Sequence, residues 1–289
     1  ENTRLIANLS QQRRKLVDGQ TKLRQQLKAL LKSYFPVVLE IFGKQCQLPL
    51  LLNMLRRWPD PRQLRRADRR LIRRVLSDHS LRNEQQQKEI IERVRTAPLL
   101  TRDDALMTPS AMAVKLLAQQ IQLAQQTIEE FEAAIDEAMQ QHPDAHLFTN
   151  LRGAGKALAP RLLCAFGSQR DRWEDAESLA SFSGIAPVTF QSGKSRGVYR
   201  RFACSKYLRQ TFHEFVECAR RFCPWSKARY RLLRERGMKH HAPIRKIARS
   251  WIRILFRVWK TRIPFDCDRY IANLRQRCPE IIPYLAQEH

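Results

Sequence analysis

The sequence is short of acid. Against 53 Lys and Arg it carries 28 Asp and Glu, a formal net charge of +25 over 289 residues, with a sequence pI near 10.6. An excess of that size concerns partners rather than fold, and it points to a polyanion. Long apolar runs are missing too. None approaches the roughly 18 to 20 residues that a helix needs to cross a bilayer, which excludes a helical membrane protein and a membrane partner. The seven cysteines are odd in number and form no CxxC pair, so neither a disulfide framework nor a standard zinc site is signalled, and a reducing cytoplasm fits best. The opening residues lack the layout of a signal peptide. They read as a helix already under way at Glu1, as expected of a fragment or a processed piece. What is present is apolar content, 43% of residues, enough to exclude a disordered basic tail and to support about two domains.

The positive charge is regional. Residues 56–74 hold nine Arg and two Asp, for +7, and residues 189–262 hold 21 basic and three acidic residues, for +18. Together these equal the whole net charge, while residues 75–151 come out at −6. Two concentrated Arg-rich tracts suit two surfaces for a phosphate backbone better than a uniformly solvated face, because each neutralised phosphate releases counterions.

Apolar spacing predicts a mainly α protein. Leu9, Leu16, Leu23 and Leu30 recur every seven residues in a first long helix that Pro36 interrupts. The Arg-rich tract is expected to be helical, with Leu64, Leu71, Ile72 and Val75 inward, and a further helix spans about Asn83 to Arg95. Pro98 and Pro109 bracket an expected loop. From Val114 to Ala138 apolar residues alternate in steps of four and three, a coiled-coil pattern, whose partner is either the first helix of the same chain or the same helix of a second subunit. A coiled-coil and basic helical region is thus expected over 1–145, with a second domain over 146–289.

In that second domain Gly153, Gly155 and Lys156, followed by Leu158, Leu162, Leu163 and Phe166, resemble a helix-hairpin-helix element. Such a turn can aim backbone N–H groups at a phosphate, although an ordinary helix connection has the same look. Residues 185–202 read as a β-hairpin around SGKSRG. Helices resume near Lys206, with Leu208, Phe212, Phe215, Ala219 and Phe222 on one face. Along 244–260, Arg245, Arg249, Arg253 and Arg257 make a basic stripe opposite Ile244, Ala248, Trp251, Leu255 and Val258.

Ser192 lies in the hairpin turn beside Lys194, Arg196, Arg200 and Arg201. A serine hydroxyl among cations can attack phosphorus, leaving a phosphoserine bond that conserves the energy of the cleaved strand. The residues alone favour a structural turn serine. No metal set is expected in this chain: His213, Cys218 and Cys223, and the pair His240-His241, lack zinc-ligand spacing, and Glu129, Glu130, Glu132 and Asp136 read as a solvated helix face.

The ordered segments LRGAGKALAPRLLCAFG, RWEDAESLASFSGIAPVTFQSGKSRG, KYLRQTFHEFVECA and ARYRLLRERGMKHHAPIRKIARSWIRILFRVWK, from about Leu147 to Lys260, resemble the C-terminal domain of the insertion-sequence one-ten family of transposases. The resemblance implies a bacterial, cytoplasmic, bridge-RNA-guided DNA recombinase, a dimer or tetramer. It implies an N-terminal RuvC-like domain whose acids hold Mg2+, and a C-terminal serine nucleophile for which Ser192 is the matching residue. Gly184 and Pro187 match the family's glycine–proline turn before the hairpin. Arg209 matches the arginine of its leucine-arginine pair, with Lys206 just before it. Ser181 and Ser183 are competing serines in a helix-end context that suits packing. Two departures are expected to matter: Cys204 replaces a frequent glycine, and the acidic domain does not precede Glu1. This chain alone is therefore expected to bind DNA or RNA, to hold no metal and not to complete strand exchange. A noncatalytic nucleic-acid-binding remnant is the rival reading.

Overall fold

The computed structural model describes residues 1–42, 48–193 and 195–286, with Arg196 described by its backbone alone; Cys46 and Lys194 lie outside the described residues. The chain is mainly α with one two-stranded sheet among the described residues, as the apolar spacing predicts. No described helix is long and apolar enough to cross a membrane. Two compact units divide it: residues 13–130, and residues 1–12 together with 131–289. The division falls inside two long helices, α1 (Asn2–Tyr34) and α7 (Asp104–Gln140), and not in the loop near residue 145.

In the 13–130 unit, α2 (Pro36–Phe42), α3 (Leu48–Arg57), α4 (Pro61–Arg66), α5 (Arg69–Asp78) and α6 (Glu84–Thr96) follow α1. Helix starts carry their signals: Asp60, Asp68 and Asn83 each accept a backbone N–H two or three residues on, capping α4, α5 and α6. Leu27 and Leu31 of α1 share one core with Ile72 and Val75 of α5, Ile90 of α6, and Val114, Ala118 and Ile121 of α7. The buried amide of Gln20 donates to the Ile121 carbonyl at 3.3 Å and to Gln125 Oε1 at 3.1 Å. Here the apolar stripe of α7 is thus covered by α1 of the same chain. Two expectations change. Leu71 is 46% exposed, pointing away from the face that buries Leu64 and Ile72. Pro109 lies inside α7 and not at its border, near enough to the helix start that its missing N–H interrupts only one early bond.

In the other unit, α8 (His146–Thr149), α9 (Gly155–Phe166) and α10 (Ala176–Phe182) precede a hairpin of β1 (Val188–Ser192) and β2 (Ser195–Tyr199). Then come α11 (Lys206–Phe222), α12 (Pro224–Glu235), α13 (His241–Thr261), α14 (Cys267–Arg277), a short 3-10 turn and α15 (Ile282–Ala286). α11 packs on α9, α12 and α13. Its apolar face, Leu208, Phe212, Phe215, Val216 and Ala219, is buried, but Phe222 at the helix end is 63% exposed, contrary to the spacing. Phe215 meets Trp251 edge-on at 5.0 Å between ring centroids, and Trp225 lies 5.0 Å from the same indole. Two indole N–H groups of this core are satisfied: Trp251 Nε1 donates to Ser226 Oγ at 2.9 Å and Trp259 Nε1 to the Gly167 carbonyl at 2.7 Å. The buried Arg161 guanidinium donates from Nε to Thr211 Oγ1 at 3.0 Å and pairs with Glu214 at 2.5 Å, tying α9 to α11.

Gly153 explains how closely α9 and α11 approach. Its φ is +92°, and a Cβ there would stand 2.7 Å from the backbone nitrogen of Ala219 and 2.9 Å from its Cα. Gly155 also has positive φ, +54°, but faces open space. Gly153→Ala therefore adds a backbone clash to the left-handed penalty and should cost about 3 kcal/mol or more, whereas Gly155→Ala should cost about 1–2 kcal/mol. Urea midpoints of the two variants check this, and equal losses would contradict it.

Candidate nucleic-acid interface

One side of α11 is apolar and buried, so the residues on its other side, Lys206, Arg209, Gln210 and His213, are turned outward together at steps of three and four. They form one wall of a cleft of about 460 Å³. Arg245 and His241, four residues apart on α13, face them, and Arg200, just after β2, and Gly184 complete the lining. Among the described residues no carboxylate lines this cleft. The electrostatic result is legible at His213. Burial, then the charges of Arg245, His241, Arg209 and Arg200, push its imidazole down to about 4, so it is neutral at pH 7. Burial is the larger cause, and the surrounding Arg and His side chains add to it.

The cleft is built on one junction. Gly184 has φ +67°, and a Cβ there would meet Cys204 Sγ at 2.5 Å. The Ser205 N–H donates to the Phe182 carbonyl at 3.0 Å, and the Ser205 hydroxyl then caps α11 by accepting from Leu208 N at 3.3 Å. The two ends of the hairpin segment are pinned together in this way. Arg209 Nη1 donates to Cys204 Sγ at 3.4 Å. Cys204 thus packs into the space left by Gly184 and accepts a hydrogen bond from the cleft arginine.

Of the residues singled out in the sequence, the structure brings together Arg200, Lys206, Arg209 and Arg245. The others fall elsewhere. Ser192 is exposed at the hairpin tip, paired in register with Ser195 across a two-residue connection that includes Gly193 at φ +55°. At about 3.3 Å per residue, the five steps from Ser195 to Arg200 separate tip and cleft by roughly 16 Å. The cleft and the tip are therefore separate features of the surface. Arg201 is half-buried, its carbonyl accepting from the Cys204 thiol at 3.8 Å. The Arg196 side chain and Lys194 lie outside the described residues.

The stripe on α13 is divided. Arg249 and Arg253 both bond Glu177, at 2.7 and 2.8 Å, and the Arg249 hydrogen bond holds that carboxyl below its usual range, while Arg257 is exposed. Gly153 is taken up by packing on α11, and Lys156 pairs with Asp136 at 2.6 Å, so the α8–α9 turn stands apart from the cleft lining. The buried Ser183 hydroxyl bonds the Ala180 carbonyl. In the first tract Arg62 is spent on Asp60 and Asp104, at 2.7 and 2.6 Å, while Arg66, Arg70, Arg73 and Arg74 are exposed. Among the described residues no group of three His, Cys, Asp or Glu is placed to hold a metal.

Sequence reasoning missed Gln210 and weighed His213 and His241 only as metal ligands, not as cleft residues. The signal was present: they continue the polar spacing of Lys206 and Arg209 on α11 and of Arg245 on α13. It is invisible until the two helices are known to face each other.

The hairpin and the Gly184, Arg200 and α11 side of the cleft fall within a stretch that matches a known family, while His241 and Arg245 lie beyond it. Residues 145–231 match the family model described as transposase, IS116/IS110/IS902 family. It is 33% identical over 143 residues to the mini-circle putative transposase for IS117 of Streptomyces coelicolor, covering 50% of this chain and 34% of that one. To the IS110 uncharacterized 43.6 kDa protein of the same organism it is 24% identical over 241 residues, 82% of this chain and 58% of the relative. To the IS900 uncharacterized 42 kDa protein of Mycobacterium paratuberculosis it is 26% identical over 148 residues, 51% and 37% of the two chains. The chain therefore spans between about a third and three fifths of the length of these relatives.

The neutral His213 sets a pH dependence. The unfolded imidazole titrates near 6.5 and the folded one near 4, so the stability it supports is full above pH 6.5 and is lost as pH falls toward 4. His213→Gln should flatten part of the decline in melting temperature over that window. A residual slope stays with His142, whose imidazole burial also depresses. Identical pH profiles for parent and variant would contradict the assignment.

Proposed function

We propose that this chain acts in the strand cleavage and exchange of a bacterial insertion sequence, as part of an RNA-guided DNA transposase in the cytoplasm that works as a dimer or tetramer. The observation that carries the reading is the acid-free cleft of Arg200, Lys206, Arg209 and Arg245 at the foot of a hairpin whose tip exposes Ser192. The cleft binds a backbone phosphate of the DNA some nucleotides away from the reacting one and fixes the strand relative to the tip. Ser192 Oγ then attacks phosphorus. A bond forms between the serine oxygen and phosphorus, the bond from phosphorus to one sugar oxygen breaks, the hydroxyl proton leaves the serine and the departing sugar oxygen takes up a proton. Exchange is the reverse step with the hydroxyl end of another strand, and the phosphoserine bond carries the energy for it.

Magnesium belongs, in this reading, to a RuvC-like acidic domain of the full-length enzyme, where it would assist phosphoryl chemistry. The described residues here contain no donor set that fits it, so no step above runs through a metal. The guide RNA is the partner that would supply sequence specificity by base pairing. The second reading, a noncatalytic nucleic-acid-binding module, is favoured by one observation: among the described residues Ser192 has no hydrogen-bonded imidazole or carboxylate to take its proton.

The test is the covalent adduct. With the RuvC-like domain, guide RNA and element ends supplied, the parent should give a protein–DNA band that survives denaturation. Ser192→Ala should reduce that band to background while changing DNA affinity by no more than about tenfold, the upper scale of one neutral hydrogen bond. An undiminished adduct in Ser192→Ala would remove the nucleophile from this account.

A further inference from the structure

The hairpin exposes more aromatic surface than a free hairpin explains. Phe190 is 64% exposed, Tyr199 58% and Phe202 79%, although rings of this size normally dominate cores and interfaces. The register places them. Val188 pairs with Tyr199, Phe190 with Gly197 and Ser192 with Ser195, and side chains two apart share a face. Phe190, Tyr199 and Ser192 therefore lie on one side of the sheet, with Phe190 one strand repeat, about 6.6 Å, behind the serine. Gly197 shapes this face: a Cβ on it would stand 2.4 Å from the Tyr199 ring, so the ring lies down over the glycine and meets Phe190 edge-on at 5.7 Å.

We propose that the Phe190–Tyr199 face is a stacking platform for one unpaired base of DNA held at the hairpin tip. Charge selects this occupant. From residue 178 to residue 213 the chain has no Asp or Glu, and it has six Lys and Arg. Arg200 lies over the Phe202 ring at 5.5 Å, so cations for phosphates interleave with rings for bases, the arrangement by which single strands are held. A second copy of this chain would bring the same acid-free hairpin and the same excess of cation against it. Every base has a π-face, but a paired base within a duplex offers only its edge in the grooves. The platform therefore acts on a base that has left the duplex next to the phosphodiester that Ser192 addresses. That last placement rests on the proposed role of Ser192, whereas the stacking itself does not.

The experiment uses short single-stranded DNA carrying 2-aminopurine at successive positions, with the whole chain at fixed salt. In the parent, fluorescence should be quenched at one position beyond the quenching of free DNA. Phe190→Ala and Tyr199→Ala should abolish that extra quench and weaken single-strand binding by roughly 5- to 150-fold, the range of one aromatic–base stack. Duplex binding should change less than twofold, and Tyr199→Phe should behave as the parent. Because these side chains are exposed, folding should be unaffected, and the parent's quench stands as a test that needs no variant. No position-specific quench in the parent, or an equal loss for single strand and duplex, would overturn the proposal. So would an effect of Phe190→Ala on self-association with DNA binding unchanged, or a quench seen only with RNA of the same sequence. The two claims fail separately. Ser192→Ala should keep the quench whatever becomes of the adduct, and an adduct that needs Ser192 beside a quench indifferent to Phe190→Ala sinks the platform alone.

Discussion

The arrangement of this domain depends on keeping like charges together. Four cations and two imidazoles line one cleft with no carboxylate among them, and their mutual repulsion opposes folding until an anion arrives. What holds them is the apolar packing behind them. α11 and α13 present Lys206, Arg209 and Arg245 on one side only because Phe212, Phe215, Ile244, Trp251 and Leu255 bury the other. The close approach at Gly153 and the buried Arg161–Glu214 pair hold α9 against the same helix. Gly184 and Cys204 lock the hairpin to its start. Without the core the cations separate, so packing at a distance from the cleft is what gives it affinity.

Acid is used sparingly and with effect. Glu177 takes two of the four arginines of the α13 stripe, Asp136 takes Lys156, and Asp60 and Asp104 take Arg62. Each carboxylate settles a local tie, and the cleft is where none is provided. The charge that matters is therefore the charge left over after pairing. It is concentrated in the exposed arginines of α4 and α5 in one unit and around the hairpin and cleft in the other.

Much of this was legible in the chain itself. Heptad leucines, the Pro36 break and the buried face of 244–260 are local signals, and they mark helices because spacing of 3.6 depends on no distant residue. The hairpin was legible from its turn. What was not legible depends on who faces whom. Leu71 and Phe222 fit an apolar spacing yet are exposed, since the neighbouring element does not reach them. The stripe at 245, 249, 253 and 257 reads as one surface until Glu177, some 70 residues earlier in the chain, is seen to neutralise its middle. Gly153 and Gly155 look alike in sequence, and only the backbone of α11 distinguishes them. Likewise, the cations flanking SGKSRG read as one phosphate site, whereas the length of the hairpin separates the tip from the cleft.

The central claim is that the unpaired cations of the cleft neutralise backbone phosphates. It is tested most directly by the salt dependence of duplex DNA binding. For Arg200→Ala, Arg209→Ala and Arg245→Ala combined, the slope of log affinity against log salt should become shallower by about 2 to 3, close to one for each phosphate no longer neutralised. The double variant Arg249→Ala, Arg253→Ala removes charges already paired with Glu177 and should change the slope by well under one per charge. A slope unchanged in the triple variant, or changed equally per charge in both variants, would contradict the account.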